Sequence, residues 1–298
     1  MGAGAMGALF GGYLSLHNQV WLVDVNALRV EQINQNGVVI KEGEKPVVLH
    51  PLAVTDVSAL GHMDLVVVFV KAMFTEAALN TNKALIGPDT YLMTLQNGMG
   101  HEQKLLKQAP AERVIIGTTQ HNSSLNTDGS VQHGGGGDTT IGLLFGGSER
   151  LIPIAETLTA CGLPTSVSDA VKEKIWKKLF LNTAASSLTA ILQVPLGFIL
   201  EDKYARSIMH SLVKEAVAVA NAEGSAIFDA KIEIDVIEGV LASARQGYTS
   251  IYADIRRGAS TEVDTISGAV VATAKRLGVP VPYHEMIVAL IHALEDRR

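Results

Sequence analysis

The sequence predicts an α/β chain in two parts: a mostly parallel β-sheet domain over residues 1–167 and an all-helical domain over 168–298. Three observations carry this prediction. A glycine-rich turn, Gly2-x-Gly4-x-x-Gly7, opens the chain. Apolar runs of strand length then alternate with helical stretches as far as Pro164. Beyond Pro164 the long stretches carry apolar residues at helical spacing.

Each element follows from its local pattern. Gly7 to Leu16 reads as a helix, with Leu9, Tyr13 and Leu16 on one stripe. Val20-Trp21-Leu22-Val23-Asp24 reads as a strand ending in an acid. Asp64 to Val70 is an apolar, mostly β-branched run of the kind found in strands buried on both faces. Thr90 to Leu95 and Arg113 to Thr119 repeat that texture, and helices between strands make the sheet parallel. Ser130 to Leu144, around the glycines at 134–137, is expected to form a hairpin or an edge-strand addition. No helical pattern follows those glycines, so they are not read as a second phosphate loop. Helices are expected over Ala170–Leu192, Tyr204–Glu223, Asp229–Arg245, Thr261–Leu277 and Tyr283–Glu295. Pro195-Leu196-Gly197, Glu223-Gly224 and residues 278–282 punctuate them.

The opening turn has the spacing of a dinucleotide-binding fingerprint, as in Rossmann-type domains. Gly2 permits the tight turn, Gly4 lets the backbone approach a pyrophosphate, and Gly7 lets helix pack on strand. Ala5 and Met6 begin the helix whose unpaired N–H groups face the phosphates. Such a turn normally follows a buried strand, and no such strand precedes Gly2 in this sequence. The expectation is that the start lies a few residues upstream or that the sheet lacks its central strand. Asp24 ends the next strand, where a carboxylate accepts hydrogen bonds from a ribose 2′-hydroxyl and repels a 2′-phosphate. Asp24 therefore leans toward NAD(H). Lys71 and Asn97 fall at the carboxyl ends of two further strands, where open parallel sheets bind ligands.

Composition bounds the rest. Hydrophobic residues make up 47% and charged residues 18%, enough for two packed cores. A net charge of −6 argues against nucleic acid or anionic lipid as a partner. No apolar run reaches the roughly 18 residues of a membrane span, and no basic segment of a secretory signal is seen. Cys161 is the single cysteine, which excludes an internal disulfide and fits a cytoplasmic setting. It lies on a helical stretch and is expected in the core. His101, His121 and His133 lack metal-ligand spacing, so no metal is expected.

In the helical half, Lys178 and Asn182 are four apart and share one helix face. Lys174, Lys177 and Lys178 also read as one solvated face, and Thr261 with Asp264 reads as a capping box at a helix start. Several ordered blocks, taken together, point further. They are the opening glycines, Val70-Lys71-Ala72, Gln96-Asn97-Gly98-Met99-Gly100, Trp176-x-Lys178-Leu179-x-x-Asn182, and Ser250-x-x-x-Asp254 leading to Thr261-Glu262-Val263-Asp264. In this order and spacing the chain resembles the ketopantoate reductase (2-dehydropantoate 2-reductase) family over essentially its whole length. The resemblance implies reduction of the ketone of 2-dehydropantoate on the route to pantothenate, usually with NADP(H). It implies Lys178 as general acid and Glu262 as its partner. It places Asn182, Ser186 and Ser250 at the substrate and Asn97 at the junction of nicotinamide and substrate. A small-molecule 2-oxo acid is the expected partner, with room for a homodimer. Ser186 stands where the family often carries an asparagine facing the substrate, and Gly247 where it commonly carries a polar side chain. That departure keeps a different branched 2-oxo acid open as substrate. The missing strand keeps open an inactive, truncated nucleotide-binding protein.

Overall fold

The computed structural model describes residues 1–43 and 45–297. Two compact units emerge: Met1–Gln96 with His101–Val171, and Asn97–Gly100 with Lys172–Arg298.

The first unit holds eleven strands among the described residues: β1 (Trp21–Val23), β2 (Val38–Glu42), β3 (Lys45–Leu49), β4 (Leu52–Val54), β5 (Leu65–Val68), β6 (Tyr91–Thr94), β7 (Val114–Thr119), β8 (Asn122–Leu125), β9 (Val131–Gly135), β10 (Thr139–Leu143) and β11 (Thr165–Val167). The main sheet runs β11-β10-β7-β6-β5, with β5, β6 and β7 parallel and β10 antiparallel to β7. β1 and β4 form a separate parallel pair, and β3-β2-β9-β8 form a third sheet. Helices α1 (Ala5–Leu14), α2 (Ala27–Asn36), α3 (Thr75–Thr81), α4 (Glu102–Leu105) and α5 (Ile152–Ala160) complete the unit. Its core joins Leu9 and Phe10 of α1, Ile33 of α2, and Met93, Ile115 and Ile141 of the sheet.

The gap in the sheet expected from the sequence lies between β1 and β5. Residues 1 and 2 bridge one end of it. The Met1 amine donates to Val67 O at 2.7 Å, Phe69 N–H donates to Met1 O at 2.8 Å, and Gly2 N–H donates to Val23 O at 2.8 Å.

The expected hairpin over 130–144 does not form. β9 pairs with β8 and β2, whereas β10 enters the main sheet between β7 and β11. Burial explains the split. β10 is buried at Thr139, Ile141, Gly142 and Leu143, as an interior strand must be, while β9 alternates buried Val131 and His133 with exposed neighbours. Cys161 caps the carboxyl end of α5 and is buried, which pushes its thiol pKa up.

The second unit contains α6 (Val171–Leu192, from Lys172 on), α7 (Leu196–Glu201), α8 (Lys203–Glu223), α9 (Ala230–Ser243), α10 (Ser250–Arg256), α11 (Ser267–Leu277) and α12 (Pro282–Asp296). α8 packs against α7, α9, α11 and α12, and α6 is buried over much of its length. Residues 183–190 are buried without interruption, and small side chains there (Ala184, Ala185, Ser186, Ser187, Thr189, Ala190) let neighbouring helices approach. Phe180 of α6 meets Phe228 edge-to-face at 5.0 Å between ring centroids. Asp202 and Asp229 cap α8 and α9, and Gly224 and Gly278 end α8 and α11 in the left-handed conformation.

Two sequence expectations fail here. The helix expected from Thr261 starts at Ser267, so Glu262 sits on a turn rather than in a first helical turn. Thr261 and Asp264 form no capping box. Thr261 Oγ1 accepts from Val263 N–H, the Thr261 N–H donates to Glu295 Oε1, and Asp264 bonds His292. Those partners on α12 hold the segment in a turn, and they lie about thirty residues away in sequence. α7 and α10 were not expected, because Pro195-Leu196-Gly197 reads as punctuation and α10 is seven residues long.

Candidate active site

In the first unit the opening glycines form the turn their spacing requires. Gly2 has φ +90°, and a Cβ there would lie 2.8 Å from Val70 N. A Cβ on Gly7 would lie 1.8 Å from Gly2 O, so the helix can approach the turn only with glycine there. Gly4 differs. It is the N-cap of α1, brings no side chain to that cap, and a Cβ on it would meet nothing within 4 Å. Open space therefore lies over the first turn of α1, where Ala5 and Met6 stand at the positive end of the helix. A dinucleotide pyrophosphate fits a cradle of this chemistry.

Asp24 follows β1 and grips the turn. Its Oδ2 accepts from Ala3 N–H at 2.7 Å and its Oδ1 from Asn26 N–H at 2.9 Å. Each oxygen retains a lone pair for a further donor. Sequence reasoning missed Arg29 as part of this assembly. Its Nε donates to Ala3 O at 3.1 Å and its Nη1 to Gly129 O at 2.6 Å, so the buried guanidinium braces the turn from below. Burial lowers the pKa of Arg29, and the Asp24 charge opposes that. Lys71 precedes the short helix at Ala72–Phe74. Gln96 ties the loops after β5 and β6 together, donating to Val70 O at 2.6 Å and to Thr75 Oγ1 at 2.9 Å.

The second unit gathers the rest. Lys178 and Asn182 lie half-buried one turn apart on α6, and Ser186 is buried a turn further on. The three neighbouring lysines do not form one solvated face. Lys177 is exposed and pairs with Glu173 at 2.7 Å, a contact that raises its pKa. Lys178 goes the other way: burial pushes its pKa from 10.5 down to about 8, against the pull of the Glu262 carboxylate. Ser250 is the exposed first residue of α10, whose N-cap is Thr249. Thr249 Oγ1 lies 3.2 Å from Ser186 O, which ties the segment before Ser250 to α6. Asn97 reaches this unit through a short loop. Met99 N–H donates to Thr265 O at 2.8 Å, and Thr265 Oγ1 lies 3.3 Å from Asn97 O and 3.2 Å from Glu262 O. The structure thus brings the Asn97 loop to the Glu262 turn and Glu262 into electrostatic reach of Lys178. It arranges a partly desolvated amine beside a carboxylate, which suits proton donation near neutral pH.

Comparison with known proteins identifies the family. The family model described as "Ketopantoate reductase PanE/ApbA" matches residues 1–145, and "Ketopantoate reductase PanE/ApbA C terminal" matches residues 170–295. The chain belongs to the ketopantoate reductase family. It is an NAD(P)-dependent oxidoreductase acting on CH–OH groups. A 2-dehydropantoate 2-reductase of Pyrococcus horikoshii is 32% identical, covering 99% of this chain and 96% of that protein. One of Halobacterium salinarum is 31% identical, covering 99% and 95%. Among solved structures, D-mandelate dehydrogenase with NADH and anilino(oxo)acetate superposes with a TM-score of 0.93 at 32% identity, covering 99% of this chain and 97% of that one. A PanE/ApbA family ketopantoate reductase of Ralstonia eutropha superposes with a TM-score of 0.90 at 28% identity, covering 100% and 97%. Among the described residues, no helix of this ketopantoate reductase relative is long and apolar enough to cross a membrane.

Proposed function

We propose that this protein reduces the ketone of 2-dehydropantoate to the alcohol of pantoate, with Lys178 as general acid and Glu262 as the group that keeps it charged. The observation that carries this reading is Lys178, a half-buried amine within electrostatic reach of the Glu262 carboxylate, whose pKa burial pulls down to about 8, on a family member. Gly2, Gly4, Ala5, Met6 and Gly7 would hold the pyrophosphate, Asp24 the adenosine ribose, and Lys71 the cofactor's polar flank. Bound NAD(P)H supplies the hydride. As the carbonyl carbon is reduced, negative charge develops on its oxygen. The Lys178 ammonium meets that charge, donates its proton to the oxygen and is left as the neutral amine, which solvent reprotonates. Asn182, Ser186 and Ser250 hold the 2-oxo acid, and Asn97 orients the reacting carbonyl through its amide.

The cofactor reading favours NADH. Asp24 follows β1 beside the glycine-rich turn, where its carboxylate would repel a 2′-phosphate, and the D-mandelate dehydrogenase relative is an NADH complex. A second substrate reading rests on that same relative, whose bound ligand is anilino(oxo)acetate, together with Ser186 and Gly247, which bring few donors to the substrate. In it the substrate is another branched or bulkier 2-oxo acid.

The test is oxidation of NADH and NADPH, followed at the nicotinamide absorbance, against a panel of 2-oxo acids. The highest kcat/KM is expected with 2-dehydropantoate and NADH. Lys178→Ala is expected to lower kcat by about 10²–10⁴-fold while cofactor affinity stays within about twofold. A panel that gives no turnover, or a Lys178→Ala variant as fast as the parent, would overturn the reading.

A further inference from the structure

The turn that carries Glu262 is held by α12, and one side chain on α12 connects its two ends. His292 is half-buried, with a carboxylate oxygen at each ring nitrogen. Nδ1 lies 2.9 Å from Glu295 Oε2, and Nε2 lies 3.0 Å from Asp264 Oδ1. Glu295 turns its other oxygen to the chain, where Oε1 accepts from Thr261 N–H at 2.6 Å. The links therefore run Thr261–Glu295–His292–Asp264 and enclose Glu262 and Val263. Val263 is buried, and Glu262 is the half-buried residue beside it between the two anchors.

The closed loop selects one form of His292. A neutral imidazole has one N–H and one bare lone pair, and an ionised carboxylate only accepts. With a carboxylate at each nitrogen, a neutral ring satisfies one and opposes the other, whereas the imidazolium donates to both. Burial pulls the His292 pKa down, but the bonds to Glu295 and Asp264 outweigh it and the net shift is upward from 6.5. Burial likewise pushes the Glu295 pKa up, and its bonds to Thr261 and His292 more than reverse that, so Glu295 stays ionised. The two legs differ in strength. Asp264 is exposed, so water and salt weaken its leg, while Glu295 is half-buried and holds the backbone as well.

The other charged groups on the elements around α12 are engaged or distant. α11 is uncharged from Ser267 to Thr273, and its Lys275 and Arg276 stand at the end that leads into the start of α12. On α8, Arg206 and His210 bond Glu238, Glu215 bonds His284, and Glu223 bonds Arg276. Lys203 lies over the Tyr204 ring at the start of α8, and Lys214 is exposed. On α12 itself, Glu285 is in the first turn and Asp296 is exposed at the last. The turn contributes Glu262 and Asp264.

We propose, on the reading of Glu262 as the partner of Lys178, that charged His292 is a positioning residue: it clamps both ends of the 261–264 turn to α12 and so fixes the Glu262 carboxylate. Its effect reaches the chemistry through Glu262. When His292 loses its proton, the chain of bonds from Thr261 to Asp264 opens at one link and the turn relaxes. The carboxylate then favours the Lys178 ammonium less, and Lys178 gives up its proton at lower pH.

The test compares the parent with His292→Gln, His292→Arg and Glu262→Gln. Glutamine donates to one carboxylate and turns an amide oxygen to the other, whereas arginine stays charged and can donate to both. Amide hydrogen exchange reads the turn, and the pH dependence of kcat for 2-oxo acid reduction reads Lys178. His292→Gln is expected to speed exchange at the Thr261 amide by about tenfold. It is also expected to move the alkaline limb of kcat down by about 0.5–1 pH unit, with the cofactor Kd within about twofold of the parent. His292→Arg is expected to restore both. In the parent, the His292 ring protons, followed by NMR, are expected to titrate above pH 6.5. A ring that titrates at or below 6.5, Thr261 exchange unchanged in His292→Gln, or a His292→Arg no better than His292→Gln overturns the proposal. So does a limb that moves in Glu262→Gln and stays in His292→Gln, which leaves the role of Glu262 standing. A limb that moves in neither variant removes Glu262 from its role beside Lys178, and the proposal falls with it.

Discussion

Met99 donates its backbone N–H to the carbonyl of Thr265 at 2.8 Å, across 166 residues of chain. This bond enrols residues 97–100 in the helical unit, where the Met99 side chain packs against the core. The Thr265 hydroxyl, near both Asn97 O and Glu262 O, spans two of the residues assigned to the chemistry.

Gly98 is what permits the contact. Its φ is +95°, and a Cβ on it would lie 2.0 Å from Thr265 O. Gly98→Ala is expected to destabilise the protein by about 1–3 kcal/mol, read from urea unfolding, and to lower kcat/KM by displacing Asn97. Gly100 provides the internal control. Its φ is +88° but a Cβ there meets nothing within 4 Å, so Gly100→Ala is expected to cost about 1 kcal/mol from backbone conformation alone. Equal costs at the two positions would show that the Thr265 contact does not matter.

The contrast between Gly98 and Glu262 shows what a sequence carries. The run Asp64–Val70 was legible as a strand because its β-branched apolar residues are local, with Val66 and Val68 buried. The opening turn was legible because steric needs at Gly2 and Gly7 fall within six residues. The turn holding Glu262 was not, because Glu295 and His292 on α12 compete with the local helix pattern. β2 and β3 went unread because they are short, β3 is largely exposed, and β2 takes its parallel partner, β9, from about ninety residues away. Arg29 carried no local signal, and only the folded turn reveals Ala3 O and Gly129 O as its acceptors.

The pKa of Lys178 makes a pH prediction with a definite sign. The acid form is present below about 8, so the rate of ketone reduction is expected to fall tenfold per pH unit above that point. Glu262 holds the pKa up against burial, so Glu262→Gln is expected to move this limb to lower pH. A pH–rate profile of kcat for both proteins is the measurement. A limb that stays in place in Glu262→Gln would separate the two residues.

The same shift bears on stability in the opposite sense from a salt bridge. The unfolded lysine keeps its proton up to 10.5, while the folded one releases it at about 8. The folded state therefore carries a penalty that is complete below about pH 8 and relieved as pH rises from there to 10.5. Lys178→Met, inactive by expectation, should be more stable than the parent at pH 7, by up to about 3 kcal/mol, with the difference gone above pH 10.5. Chemical unfolding at the two pH values checks it.

Asp24 is expected to set cofactor choice. Asp24→Asn keeps an acceptor for Ala3 or Asn26 N–H but removes the charge that repels a 2′-phosphate. The ratio of kcat/KM for NADH over NADPH should fall by about tenfold or more, from a worse NADH constant, a better NADPH constant, or both. A ratio unchanged by the substitution would assign Asp24 to holding the turn alone.

Gly4 and Gly7 separate the architecture of the turn from its ligand. A methyl at Gly7 would fall 1.8 Å from Gly2 O, so Gly7→Ala must push α1 off the turn, and a loss of about 3 kcal/mol is expected along with cofactor binding. Gly4 has φ −68° and open space around its missing Cβ, so the fold has no reason to require glycine there. Gly4→Ala is expected to leave Tm within about 1 °C while raising the cofactor Kd by about tenfold or more, measured by fluorescence titration. A glycine that the protein can lose without penalty and the nucleotide cannot is one whose vacant side-chain volume belongs to the phosphates. If Gly4→Ala binds the cofactor as tightly as the parent, the pyrophosphate does not approach the chain at that residue, and the cradle must be redrawn around the N–H groups of Ala5 and Met6.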